Sequence, residues 1–325
     1  MSKIVPSLKA AREKSLAHKS DVASVAIKPF LRWAGGKRRL TGLLMEAFPE
    51  NFDPKSGRFF EPFVGGGALS FATGDSTKKP YILGRNLFIN DANPDLVIVY
   101  TVVRDNLAAL ISELQKLSLD VSKQAYEHVR SSNPKSDIKR AARFIYLNKT
   151  CFNGLWRVNS SGQFNVPWGQ LKNPLIFDAN QLTLCSQRLK GSKITNGGFK
   201  DSVKSARQGD LVYFDPPYIP LTSTASFSQY AKANFGLQDH IDLANTIAEL
   251  TSRGVNVILS NSDTEMTREI FQKCLTLRQI SMNRSISASS GSRQPVNEVI
   301  GTNFRVKKGT LLAGLELISK QRAGV

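Results

Sequence analysis

The chain has 325 residues, 41% of them hydrophobic, and its 44 Lys and Arg outnumber 26 Asp and Glu for a formal net charge of +18. Such apolar content supports a folded core and excludes a disordered polyelectrolyte, while the excess of cations calls for a polyanionic partner, nucleic acid before membrane. Cys151, Cys185 and Cys274 lack Cys-x-x-Cys spacing and do not cluster with His18, His128 or His240, which argues against a disulfide framework and against a metal site. There is no charged leader followed by an apolar stretch and no apolar run of roughly 18 residues, so a cytoplasmic protein without membrane association is expected. Nothing marks an obligatory protein partner.

Residues 1 to 27, rich in Lys, Ala and Ser, read as a basic flexible tail. Order is expected from Pro29, where Phe30, Trp33, the Gly35-Gly36 pair and Lys37 precede an apolar-periodic helix (Leu40, Leu43, Leu44, Ala47). Backbone can approach a ligand at the glycine pair, Trp33 offers a flat face and Lys37 a cation at the helix start. This is not a P-loop, because the spaced glycines and the Ser/Thr after lysine are missing. Residues 58 to 71 read as strand, glycine turn (Gly65-Gly66-Gly67) and helix. The turn lacks the G-x-G-x-x-G spacing that frames a pyrophosphate and suits a nucleoside better than a dinucleotide. A second strand, Leu87 to Asn93, carries Asp91, roughly 20 to 30 residues past the turn, where such folds place an acid for ribose hydroxyls. A loop-capping Asp is the plainer alternative.

From Pro94 the pattern is helical, over Leu96 to Leu117 and again over Ala141 to Leu147. Asn148 to Gly169 follows, with a turn signal at Asn159 to Gly162 between two alternating runs. It predicts a β-hairpin carrying exposed aromatics beside Lys149 and Arg157, a pattern suited to nucleic acid. Lys193 to Phe199 reads as a short strand ending on a ring. Residues 219 to 238 form a long Ser/Thr-rich connection expected to be a substrate loop. His240 to Leu250 is an amphipathic helix, Val255 to Asn261 a buried strand, and Arg284 to Arg293 a hydroxyl-rich basic loop that suits phosphates and plain flexibility equally. Alternating strands and helices imply a mostly parallel sheet in an α/β fold.

The chemistry centres on Leu211 to Tyr218. Four β-favouring apolar residues run into Asp215, the Pro216-Pro217 pair that cannot continue a ladder, and Tyr218. Ligands of open α/β sheets bind outside the carboxyl ends of strands, so Asp215 and Tyr218 are expected in a cleft. A carboxylate and the Pro216 carbonyl would each accept an N–H of a planar amine, and Tyr218 would stack on its ring.

Taken in order, FLRWAGGK, FFEPFVGGGALSF, NDAN, NGLWRVNSSGQFNVPWG, YFDPPYIPLTSTASFSQY and ILSNSD resemble the Dam family of DNA adenine-N6 methyltransferases, from about residue 29 to the end. The resemblance implies S-adenosyl-L-methionine as donor, duplex DNA of GATC type as substrate, and a Rossmann-like methyltransferase sheet. It also implies an inserted, mostly helical target-recognition domain carrying the hairpin, here residues 94–178, between catalytic segments 28–93 and 179–325. The implied catalytic residues are Asp215, Pro216, Pro217 and Tyr218. Trp33, Lys37, Asp91 and Asp215 match cofactor-pocket positions, and Phe63, Gly65 and Phe199 complete the expected pocket. Phe152, Asn153, Leu155, Arg157 and Pro167 match DNA-contacting positions. Arg32 stands where the family often has Lys, and Arg284 is added as a further DNA contact. Departures are the tail, the Lys-rich piece at Thr77 to Pro80, and Gln170 in place of a usual arginine, which puts one phosphate contact in doubt. A cytosine-N4 methyltransferase would usually carry Ser, and a protein-glutamine methyltransferase Asn, at position 215. A catalytically inactive DNA-binding regulator would not need Asp215, Tyr218 and the glycine turns intact.

Overall fold

The computed structural model describes residues 26–74, 81–219, 235–282 and 296–318. The sheet is set by two strands whose side chains alternate between opposite cores. In β4 (Leu211–Phe214), Leu211 and Tyr213 enter one core while Val212 and Phe214 enter the other, and in β5 (Asn256–Ser262) Ile258 opposes Val257 and Leu259 in the same way. A strand covered on both faces must be apolar throughout, which is why these runs read as continuous rather than alternating.

Around them stand β1 (Phe59–Glu61), β2 (Leu87–Asp91), β3 (Lys193–Asn196), β6 (Thr276–Met282) and β7 (Val296–Thr302). The sheet order is β3-β2-β1-β4-β5-β7-β6, with β7 antiparallel to both β5 and β6 and the remaining pairs parallel. Strand order reverses between β1 and β4. That switch point opens a crevice at their carboxyl ends.

Helices α1 (Thr41–Glu46), α2 (Ala68–Ala72), α3 (Pro94–Asp105), α4 (Leu107–Ser118), α5 (Lys123–Ser131), α6 (Asp137–Thr150) and α7 (Ala179–Leu189) contribute to the core on the Tyr213 face. On the Phe214 face lie α8 (Phe199–Val203), α9 (Leu237–Ser252) and α10 (Glu265–Phe271). The expected single helix over Leu96 to Leu117 is two helices, because Asn106 leaves helical geometry at φ −131° and ψ 36°. Asn93 caps α3, its side chain accepting from the Asp95 and Leu96 backbone N–H groups, with Pro94 at the first turn. The expected sheet and its parallel strands are present. β6 and β7 were not anticipated. No helix among the described residues is long and apolar enough to cross a membrane.

One buried side chain ties the N-terminal segment to α6 and the segment after it. Asn148 Oδ1 accepts from the Arg32 backbone N–H at 2.9 Å, and Asn148 Nδ2 donates to the carbonyls of Arg32 at 2.7 Å and Gly154 at 3.2 Å. Asn148 is fully buried, so removing its amide would strand three backbone groups, each at a cost of roughly 1 to 3 kcal/mol when left unpaired. Asn148→Ala is therefore expected to lower unfolding stability by at least about 2 kcal/mol in urea titrations, with Asn148→Gln no better because the longer chain cannot make both contacts with Arg32.

Candidate active site

After β1 the chain enters the glycine turn, where Gly65 and Gly67 have φ of 45° and 68°. A Cβ at Gly65 would stand 2.6 Å from Trp33 Cδ1, so glycine is what lets the indole lie against the turn. Asp91 holds the same turn from the end of β2. Its Oδ2 accepts from the Gly65 N–H at 3.1 Å and its Oδ1 from the Asn93 N–H at 2.9 Å, while the Tyr100 hydroxyl donates to the Gly65 carbonyl at 2.8 Å. The plainer loop-holding geometry is thus present at Asp91, and a carboxylate with up to four acceptor sites still has room for hydroxyls. Burial raises its pKa against the pull of the backbone N–H groups of Asn93, Gly65 and Ala92.

Phe63 lies 5.6 Å from the ring of Phe199 and 5.4 Å from that of Phe235, forming an apolar box beside the turn. A groove of about 390 Å³ touches Pro62, Asn90 and Gly197-Gly198 at the strand ends but runs away from Asp215 and the glycine turn, over Phe60 and Phe88 toward Lys193 and Ser205.

At the end of β4, Lys37 Nζ stands 3.0 Å from Asp215 Oδ1 and donates to the Gly35 carbonyl at 2.5 Å. Lys37 is almost wholly enclosed, 6% exposed, so this is no surface ion pair. Ser260 Oγ, on β5, donates to the same Asp215 oxygen at 2.7 Å and is itself 2.9 Å from the Tyr213 hydroxyl. Burial drives the Asp215 pKa up, Lys37 and Ser260 pull it back, and the net shift is upward. Oδ1 is occupied by these two donors. Oδ2 carries no hydrogen bond among the described residues and is the oxygen left for an incoming N–H. Lys37 Nζ also lies 4.4 Å from the centroid of the Tyr218 ring, and the Tyr218 hydroxyl donates to Glu298 Oε2 at 2.8 Å. Pro216 is buried and Pro217 exposed.

After α6, the hairpin closes without a continuous ladder, through bridges Cys151–Trp168 and Val158–Phe164. Asn159 N–H donates to the Gln163 carbonyl at 2.8 Å across the turn. Arg157 is exposed, and Asn165 grips its guanidinium, Nε to Oδ1 at 2.8 Å and a terminal nitrogen to the carbonyl at 3.2 Å. Phe152 and Leu155 are exposed, at 48% and 39%, as are Asn153 and Pro167. Arg32 lies against the start of this segment, since a Cβ at Gly154 would stand 2.6 Å from Arg32 Cβ.

The expectation of exposed hairpin rings holds for Phe152 and fails elsewhere. Trp156 stacks on Phe144 at 3.7 Å, and Phe164 is buried 4.7 Å from Trp156. Hydrophobic rings facing a helix with an open aromatic face are better buried there than left in water. Trp33 stacks on the same Phe144 at 6.3 Å, so a file of rings joins the hairpin to the glycine turn. Arg284, the basic loop around it, most of the 219 to 238 connection and nearly all of the tail lie outside the described residues. Ser260, Glu298, Asn165 and Asn148 were not singled out from sequence. Ser260 and Asn148 stood within or beside quoted motifs, while Glu298 carries no local signal.

Fold and site together are those of a Rossmann-like methyltransferase. The chain belongs to the D12 class of N6 adenine-specific DNA methyltransferases, whose family profile matches residues 33–286. It is 38% identical over 288 residues to the type II methyltransferase M1.LlaDCHI of Lactococcus lactis subsp. cremoris, covering 86% of this chain and 96% of that one. It is 42% identical over 255 residues to the type II methyltransferase M.MjaIII of Methanocaldococcus jannaschii, covering 73% and 84%. The DNA adenine methylase of Escherichia coli K12 is 34% identical over 277 residues, covering 84% and 94%. The protein is thus a DNA adenine methyltransferase.

Beneath the site, Glu61 is buried and accepts from both the backbone N–H and the hydroxyl of Ser70. Desolvation pushes its pKa from 4.5 to about 8. The folded state therefore keeps this proton where the unfolded chain has lost it, and stability from this group declines as pH rises, by up to about 1.4 kcal/mol per unit, until the folded pKa is passed. Glu61→Gln cannot ionise. Denaturation at pH 5 and pH 8 is expected to show the variant gaining on the wild type at the higher pH, and parallel pH profiles would contradict the neutral, buried acid.

Proposed function

We propose that the protein methylates N6 of a flipped-out adenine in duplex DNA, within a GATC-type target, using S-adenosyl-L-methionine. The single observation that carries the reading is the Asp215 carboxylate with Oδ1 engaged by Lys37 and Ser260, Oδ2 open, and the Tyr218 ring alongside. Several groups fit the donor. The Gly65 turn admits close approach, Asp91 faces ribose hydroxyls, the Phe63–Phe199 box takes the adenine, and Trp33 and Lys37 frame the methionine end. When bound, the sulfonium supplies an electrophilic methyl group.

The chain's own residues must make a poor nucleophile attack. The adenine amine has its lone pair delocalised into the ring and lies hidden in the duplex, so the base has to leave the stack. Asp215 Oδ2 accepts one amine N–H and the Pro216 carbonyl the other, which turns the lone pair toward the methyl carbon. As the bond to nitrogen forms and the methyl–sulfur bond breaks, with the sulfur leaving as a neutral thioether, positive charge grows on nitrogen; Asp215 and the π face of Tyr218 stabilise it until the amine releases one N–H proton. Residues 94–178 act as the target-recognition domain. Phe152, Asn153, Leu155 and Pro167 contact the duplex from the hairpin and Arg32 from beside it, with Arg284 as a further contact.

Asp215→Ala is expected to slow methyl transfer by at least about 10²-fold, on the scale of a lost electrostatic contact, while DNA binding survives. Near-normal turnover of a GATC duplex by that variant would remove Asp215 from the chemistry. Arg157 tests sequence choice. Held by Asn165, its guanidinium keeps donors free for guanine O6 and N7, a bidentate contact that discriminates by roughly 1 to 3 kcal/mol. Arg157→Ala should relax preference at one guanine and leave nonspecific affinity nearly intact, because phosphate contacts carry no sequence information. Equal loss of rate on GATC and guanine-altered duplexes would reassign Arg157 to a phosphate or structural role.

A further inference from the structure

We propose that Glu298 is a positioning residue for methyl transfer, pinning Tyr218 by its hydroxyl and keeping the ring electron-rich against the cation of Lys37. The inference rests on the reading that Tyr218 stacks on the target adenine. β7 pairs antiparallel with β5 so that Glu298 sits opposite Ser262, two residues beyond Ser260. From there its Oε2 accepts the Tyr218 hydroxyl at 2.8 Å. Lys37 Nζ approaches the same ring to 4.4 Å from the centroid. One ring is held between a cation at its face and an anion at its edge.

Lys37 is needed beside Asp215, yet its charge draws on the π density of Tyr218, the same density the methylated amine would use. A phenol donating to a carboxylate moves electron density into its ring, and the carboxylate offsets part of the lysine charge. Burial, together with the carboxylates of Asp215 and Glu298, pushes the Tyr218 pKa well above its ordinary value, so the phenol remains the donor. The hydrogen bond also removes the torsional freedom of a ring that follows a proline turn. Two contributions are then separable, orientation through the acceptor oxygen and polarisation through the charge.

The test is single-turnover methylation of a GATC duplex at saturating S-adenosyl-L-methionine by Glu298→Ala, Glu298→Gln, Tyr218→Phe, Tyr218→Ala and the Glu298→Ala/Tyr218→Phe pair. Glu298→Ala is expected to slow transfer about tenfold with donor and DNA dissociation constants unchanged, on the scale of one lost orienting contact. Glu298→Gln, which keeps an acceptor oxygen without charge, should fall between it and wild type, and it carries the comparison if the alanine variant does not fold. In the Tyr218→Phe background, removing Glu298 should cost less than about twofold more, because the hydroxyl through which it acts is gone. An equal loss with and without the hydroxyl, or no loss in either glutamate variant, overturns the proposal. A wild-type rate in Tyr218→Ala would instead overturn the stacking reading, and the inference with it.

Discussion

A half-buried carboxylate, whose enclosure works against its charge, is the constraint around which this site is built. Burial alone would favour the neutral acid at Asp215, and the enclosed ammonium of Lys37 and the hydroxyl of Ser260 oppose it. The carboxylate and its two partners come from three separate segments: the end of β4, the loop before α1 and the middle of β5. Their convergence requires β4 and β5 to pair in register, Phe214 beside Leu259, and the N-terminal loop to close over the crevice. Both donors engage one oxygen, so the second is directed rather than merely available.

The N-terminal loop is therefore as structural as it is chemical. Asn148 binds both backbone groups of Arg32, Trp33 lies on a turn that only glycine permits, and the Trp33–Phe144–Trp156–Phe164 file packs this loop and the hairpin against the same helix. The hydrophobic cluster on this face runs from sheet residues such as Ile89 through Leu110 and Phe144 to Phe164. Rings packed in this way transmit small shifts poorly by bending and well by moving together. The hairpin and the segment that lines the crevice thus share a core.

The second carboxylate, Glu298, shows how the antiparallel strand β7 contributes to the site. Inserted between β5 and β6, it brings a side chain from the C-terminal part of the chain to a tyrosine 80 residues earlier. Its pairing with β5 extends from Ile258 opposite Thr302 to Ser262 opposite Glu298, which carries the acid to the end of the sheet where the crevice lies.

What the amino-acid sequence by itself determined were features that local chemistry dictates. Leu211 to Phe214 read as a buried strand, Pro216-Pro217 had to end it, and Gly65-Gly66-Gly67 marked the turn between strand and helix, against which the structure sets an indole. The ordered motifs carried the family, because each is a short string whose residues act together. Tertiary structure decided the rest, for reasons of distance. Ser260, Asn148 and Glu298 act through partners 45, 116 and 80 residues away, and a single hydroxyl, amide or acid has no local pattern to betray it. The inward turn of Trp156 and Phe164 was likewise invisible, because alternation within the hairpin says that two faces differ but not that Phe144 waits beneath one of them. β7 escaped notice for the same reason, since its place in the sheet comes from pairing with β5 and β6 rather than from its own residues.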